Sequence, residues 1–457
     1  MKVIEERGKV IFRNKKYSFE YKDKILTLIP HTLKTIWEFD LSFLNIDVIK
    51  KKKEIVYGIT SNNYQIAFVN VQLQETSGGV LKGYVPLCIK GRANVFSPLP
   101  EIKDFTSMTF YGDCINKFYK PNQIIKENNN NGIKYKDIKE TYKTIKYKND
   151  KLIFGVEIEE IHDTNDIPVR LYSFLRIEFG KKKNIKETIE YYQKVLALFQ
   201  FINNRMYIDF SEIRLTSDLY SNEIIPNKII NIGTDFNFYT YIPSDINYDL
   251  PVCSVNYYQI KDHIVELLDT LNKTGGYRLH YPTSSSDTSY IDVDKYLKIA
   301  SAFESWFDIL NPKFKSNKDE IYNDIKNKTL NFIINEKDNT NSKSKKYLNT
   351  FYNTIDLLEG SLQEQIKYSY DSFKDCISNI EKRNRKYYNL NDKKTSDIIL
   401  AFSNKRNKLA HGNISLISFT DEEIIGYVIV CKLIQCMIYS NSGYTLDEIR
   451  NFVDDKY

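Results

Sequence analysis

Thr420-Asp421-Glu422-Glu423-Ile424-Ile425-Gly426-Tyr427-Val428-Ile429-Val430-Cys431-Lys432-Leu433-Ile434-Gln435-Cys436-Met437-Ile438-Tyr439 decides how the C-terminal part of this chain folds. Thr420 with Glu423 three residues later is a capping box, which satisfies backbone donors that a helix start leaves open. Beyond it the segment is apolar on most faces, so this helix belongs inside a packed group of helices. Lys432 and Gln435 interrupt it, and it falls short of the ~20 apolar residues that span a bilayer. No membrane partner is expected.

Outward from this segment the signal stays helical. Thr395–His411 is amphipathic and ends at Gly412, a C-cap residue. Lys345–Phe373 reads as one long helix, with Leu348, Tyr352, Ile355, Leu358, Leu362, Ile366 and Tyr370 on one stripe. Asp292–Leu310 stops before Pro312, and Tyr257–Lys273 stops at Gly275-Gly276. Four main helices with short to moderate connections describe a bundle. Pro282–Ser289 is the best linker in the chain. Before it the period changes. Ile55–Thr60 and Tyr64–Leu73 form a hairpin pattern about Ser61-Asn62-Asn63, and Leu152–Ile161 and Val169–Phe179 repeat it around His162–Pro168. Tyr207–Leu215 and Lys228–Tyr241 are strand-like, and Asn128–Gly132 is a surface loop. One helix, Asn184–Asn203, carries an apolar stripe of Ile189, Tyr192, Leu196, Phe199 and Ile202. The expected fold class is α+β: a β-rich domain over 1–245, a helical connector and linker over 246–290, and an all-α bundle over 291–457.

Composition excludes several classes. With 42% hydrophobic residues in 457, the chain can bury cores and is not disordered. A net charge of +6 is too weak an excess to announce a nucleic-acid binder by itself. Met1–Arg7 holds no apolar leader region, so a cytoplasmic protein is expected. Cysteines at 88, 114, 253, 376, 431 and 436 and histidines at 31, 162, 263, 280 and 411 lack zinc-ligand spacing and are too sparse for a disulfide scaffold. Reduced, buried thiols are expected, with no metal and no cofactor. Ser77–Gly83 and Lys273–Tyr277 are Gly-rich, yet neither has the spacing of a phosphate loop.

The charge distribution says more than its total. From Lys374 to His411 there are ten Lys/Arg against four Asp/Glu, a net +6 that equals the excess of the whole chain. Tyr387 and Tyr388 are interleaved with it. At its end stands Asn404-Lys405-Arg406-Asn407-Lys408-Leu409-Ala410-His411-Gly412. Histidine titrates near neutrality and can give or take a proton. Arginine offers a fixed fork to a phosphate whose charge grows in a transition state. Asn407 and His411 share a helix face, whereas Arg406 and His411 lie ~140° apart at 3.6 residues per turn. One helix does not aim both at one phosphate, but two helices related by a two-fold axis can. Simpler roles remain open: a C-cap for His411, a salt bridge for Arg406, a turn residue at Asn407, packing for Tyr387.

Arg406-Asn407-x-x-x-His411-Gly412, together with Tyr296–Trp306 as a first bundle helix, resembles the HEPN superfamily of ribonucleases. The order of a β-rich half and a helical half is similar to its ApeA-like anti-phage branch. The resemblance covers about residues 291–457. It implies a metal-independent endoribonuclease with Arg406, Asn407 and His411 catalytic and Glu304 at the acidic position of the first helix. Lys405, Lys408, Lys393, Lys394, Arg383, Arg385 and Tyr387 are then the expected RNA contacts. It further implies an abortive-infection effector, with host RNA (tRNA included) as target, a homodimer through the bundle, and a phage-derived trigger acting at the N-terminal domain. The competing reading of the same residues is a catalytically silent RNA-binding or dimerisation module.

Overall fold

The computed structural model describes residues 5–31, 54–92 (except 63, 77 and 78), 104–122, 126–129, 132–135, 138–160, 169–225, 228–240, 255–273, 280–283, 290–312, 314, 320–340, 342–356, 361–412 and 418–454. It is an α+β protein with two compact units: one built from the chain up to Tyr258, the other from Gln259 onward together with Gln200–Met206. The expected connector over 246–290 is thus divided, its helical part belonging to the second unit. The loop over 162–168, Gly275-Gly276, Cys253 and residues 284–289 of the expected linker lie outside the described residues.

The first unit is an antiparallel sheet that closes on itself at one end. Strands β1 (Glu6–Phe12), β2 (Lys15–Lys22), β3 (Ile25–Pro30), β4 (Glu54–Thr60), β5 (Tyr64–Glu75) and β6 (Leu81–Tyr84) form a ring, because β6 pairs with both β3 and β5. Alternation in β2 turns Tyr17, Phe19 and Tyr21 inward, where Phe19 meets Phe68 edge-on at 5.2 Å. Gly58 lets this ring lie close, since a Cβ there would stand 3.0 Å from it. The sheet continues through β7 (Leu87–Arg92) to β15 (Lys228–Thr240), β14 (Glu212–Ile225), β8 (Phe105–Tyr111), β13 (Val169–Lys183), β12 (Asp150–Glu160) and β11 (Lys143–Tyr147). The two expected hairpins are β4–β5 and β12–β13.

Three details differ from the expected strands and helix. The segment from Tyr207 is irregular until β14 begins at Glu212; Phe210 is instead a packing residue against Phe110 and Phe199. The asparagine-rich run contributes to a two-stranded ladder, β9 (Lys126–Asn129) with β10 (Gly132–Tyr135). The expected helix is present as α2 (Ile185–Asn203), following the short α1 (Asp113–Phe118). Phe199 and Ile202 of the predicted stripe are buried together with Ile185, Thr188, Val195 and Leu198, whereas Ile189, Tyr192 and Leu196 are half-buried at the edge, Tyr192 against Phe238.

The second unit is helical. After α3 (Ile264–Leu271), four helices pack on one another: α4 (Val293–Leu310), α7 (Leu362–Phe373), α9 (Thr395–Ala410) and α10 (Asp421–Asn441). α10 is central, with Ile425, Ile429, Leu433, Cys436 and Ile438 buried. Its length and apolarity would also suit a membrane span, but here that apolar surface meets the other helices. Gly426 lets α10 lie close to α9, since a Cβ there would be 2.7 Å from Cβ of Phe402. The Thr420/Glu423 capping box is formed as predicted.

The long helix expected over Lys345–Phe373 is two helices. α6 (Ser342–Asp356) packs on α5 (Glu320–Asp338), and a second capping box, Ser361 with Glu364, starts α7. On α5, Ile321, Ile325 and Phe332 share one exposed face, and Tyr347 and Phe351 do so on α6. In this unit three helices lie outside the expected set: α5, α8 (Ser378–Tyr387) and α11 (Leu446–Val453). Among the described residues no two cysteines are joined by a disulfide; Cys88, Cys376 and Cys436 are buried, Cys114 and Cys431 half-buried.

Candidate active site

The motif occupies the C-terminal turns of α9. Ile398, Phe402 and Leu409 anchor the helix to its neighbours, and Arg406, one turn after Phe402, emerges at the edge of that packed face. On α4, Phe303, Trp306 and Phe307 are buried and set Glu304 at the same edge. Nη2 of Arg406 donates to Oε2 of Glu304 at 2.6 Å, and Nη1 to Oδ1 of Asn407 at 3.2 Å. Both members of the ion pair remain partly solvated, with side chains 27% and 31% exposed. Such a pair adds at most about 1 kcal/mol to stability, so its consequence is chiefly the orientation of the guanidinium.

His411 follows the last helical residue. Its backbone N–H donates to the carbonyl of Asn407 at 3.1 Å, and Gly412 continues the chain at φ 77°, the left-handed conformation for which glycine suits a helix end. The His411 side chain is exposed, with no hydrogen bond to it among the described residues. The structure therefore brings Glu304, Arg406 and Asn407 together and leaves His411 one turn on, open to solvent.

Two of the expected RNA contacts are interior. Lys405 is 3% exposed: Nζ donates to the carbonyl of Ser418 at 2.6 Å, lies 3.4 Å from Oε2 of Glu423, and sits over the Phe419 ring. Arg385 is 2.6 Å from Oε1 of Glu381, is bonded to Oγ1 of Thr395 at 2.7 Å and to the carbonyl of Lys393, and has a side chain only 11% exposed. Tyr370 completes that cluster by donating to Glu381 at 2.8 Å, and burial pushes its phenol up to about 12, so it stays a donor. A cation neutralised in this way cannot also face a polyanion without exposing its partner. Both residues are corrected to structural roles. Lys393 pairs with Glu422 at 3.4 Å but stays exposed, as do Arg383, Lys394 and Lys408. Tyr387 is 79% exposed, its ring held edge-on by Tyr388 at 4.8 Å, an aromatic face accessible to a base.

The Lys405 assignment makes a testable difference. Lys405→Met keeps the stem but strands Glu423, the residue that also caps α10, and should cost about 3 kcal/mol. The same change at exposed Lys408 should stay within about 0.5 kcal/mol. Urea unfolding midpoints measure this, and equal midpoints for the two variants would return Lys405 to the surface.

Among the described residues there is no group of three or more His, Cys, Asp or Glu placed to hold a metal ion. No family model matches the chain, and neither a curated protein nor a solved structure is similar to it. The site's chemistry rests on its own geometry.

Proposed function

We propose that this protein is a HEPN-type endoribonuclease that cleaves RNA without a metal ion. The observation that carries the reading is the pairing of Arg406 with Glu304 at 2.6 Å, one turn before an exposed histidine in the most basic segment of the chain. Glu304 fixes the guanidinium so that it can bind a scissile phosphate in a bidentate manner. His411 takes the proton of the ribose 2′-hydroxyl or returns one to the leaving 5′-oxygen. Asn407 orients Arg406 from the other side. Exposed Lys393, Lys394, Lys408 and Arg383 hold the flanking phosphates, and Tyr387 stacks on an unpaired base.

In the same reading the active form is a homodimer joined through the helical unit, the target is host RNA including tRNA, and the first unit receives the trigger of an anti-phage response. The exposed Ile321, Ile325 and Phe332 stripe supports an association surface on the helical unit, whereas the apolar surface of Thr420–Tyr439 is buried inside the bundle. One observation favours the rival reading of a silent binding module. In the resting arrangement the Arg406 fork is already occupied by Glu304 and Asn407. Incubation of the purified chain with total RNA in EDTA separates the two: cleavage supports the nuclease, whereas binding to intact RNA supports the module.

If His411 works on the 2′-hydroxyl, the fragment 5′ of the cut should end in a 2′,3′-cyclic phosphate or its 3′-phosphate hydrolysis product. Mass spectrometry of the fragments reads this directly. A 3′-hydroxyl at the cut would mean that water attacked from the other side, and the mechanism would fail.

A further inference from the structure

The second unit contains a cavity of about 400 Å3, within the range of small-ligand sites. Its wall comes from Phe201 and Asn204, from the 280–283 segment, from the first turns of α4 and from the middle of α10. It shares no residue with Glu304, Arg406, Asn407 or His411. We propose that this cavity is a second binding site, for a mononucleotide, with its phosphate on Lys295, Lys298 and Lys432 and its base among Phe201, Tyr281 and Tyr427.

Charge is the first argument. Lys432 is the one charged residue in α10 beyond its first turn, and it places an ammonium in the cavity wall where an apolar residue would serve packing better. Its Nζ donates to Oε1 of Gln435 at 3.3 Å, and burial lowers its pKa. Lys295 and Lys298 come from the start of α4. Of the two carboxylates in the wall, Asp292 caps α4 by accepting from the Lys295 backbone N–H at 2.8 Å, and Asp294 pairs with Lys298 at 2.5 Å; the Asp294 side chain is 69% exposed, so a phosphate that takes its place on Lys298 releases it to water. Three lysines against two aspartates leave the wall net positive, which suits an anion. The second argument is the mixture of surfaces. Phe201, Tyr281 and Tyr427 give a planar ring something to stack on, and the Asn204 and Gln435 amides can pair with a base edge. Inorganic phosphate alone would leave these aromatic walls unused.

The test is calorimetric titration of the full chain with AMP, GMP, CMP and UMP, and separately with inorganic phosphate. At least one mononucleotide should bind one per chain with Kd below about 1 mM, and more tightly than phosphate. Lys432→Met should weaken it about tenfold, the value of one lost charge contact near 1.4 kcal/mol. Arg406→Ala should leave it unchanged, which separates this cavity from the motif and makes the result independent of any ribonuclease activity. Should Lys432→Met fail to fold, Lys298→Gln, whose side chain is 41% exposed, gives the same reading. Absence of binding by all four nucleotides overturns the proposal. So does affinity that is lost with Arg406→Ala, that ignores both lysine variants, or that phosphate alone matches.

Discussion

Arg406→Ala and His411→Ala are each expected to lower RNA cleavage by at least about 10²-fold while the circular dichroism spectrum and melting temperature stay close to wild type. The two halves of that expectation have different origins. His411 is exposed beyond the end of α9, so truncation removes a proton-transfer group and little buried surface. Among the described residues Arg406 is paired with partly solvated Glu304 and with Asn407, so its loss strands no buried charge. A large activity effect with a small stability effect is the signature of a reacting site, whereas a structural salt bridge would show the reverse. Glu304→Gln should fall between, because the amide can still accept one bond from the guanidinium but no longer fixes it by charge. Retained cleavage in both alanine variants would remove Arg406 and His411 from the chemistry. In cells the same comparison is growth after induction of wild type beside His411→Ala.

Much of this arrangement was legible because it rests on local signals. Thr420 with Glu423 and the apolar run behind them specify α10 without reference to any other part of the chain. Strand alternation and the two hairpin turns likewise announce β4–β5 and β12–β13. The break between α6 and α7 also had a local signal, Gly360-Ser361 followed by Glu364. A continuous apolar stripe outweighed it, since a stripe persists across a helix break whenever both pieces keep the same phase. Thr445 with Glu448 marked α11 in the same way. α5 was harder: its exposed face is as apolar as its buried one, so periodicity does not define it. Lys405 and Arg385 show the limit for site residues. Glu381 lies four residues before Arg385, a pairing readable on one helix, yet nothing local says that Tyr370 and Thr395 close over it. Glu423 reaches Lys405 only through the packing of α10 on α9. The cavity near Lys432 joins four separated segments and left no trace except one charge in an apolar helix.

Mixing inactive Arg406→Ala protein with inactive His411→Ala protein should restore about one quarter of wild-type cleavage. The figure follows from counting. If each site takes Arg406 from one protomer and His411 from its partner, random exchange makes half of all dimers mixed. In a mixed dimer one site inherits both defects and the other inherits both intact residues. Half of the dimers with one of two sites working is one quarter of the full number. A site complete within one protomer gives no restoration at any ratio, so the experiment distinguishes the arrangements without knowing the interface. The physical reason to expect sharing is angular. Arg406 is drawn toward α4 by Glu304, while His411 continues the helical path for five residues and leaves on another side. A second copy would supply the missing direction and double the positive potential from exposed Lys393, Lys394 and Lys408 along the path of a polyanion. Light scattering at micromolar concentration must then report a dimer for wild type and both variants. A monomer with full activity, or a dimer whose mixed form stays inactive, would place Arg406 and His411 in one protomer and require that segment to reshape around its substrate.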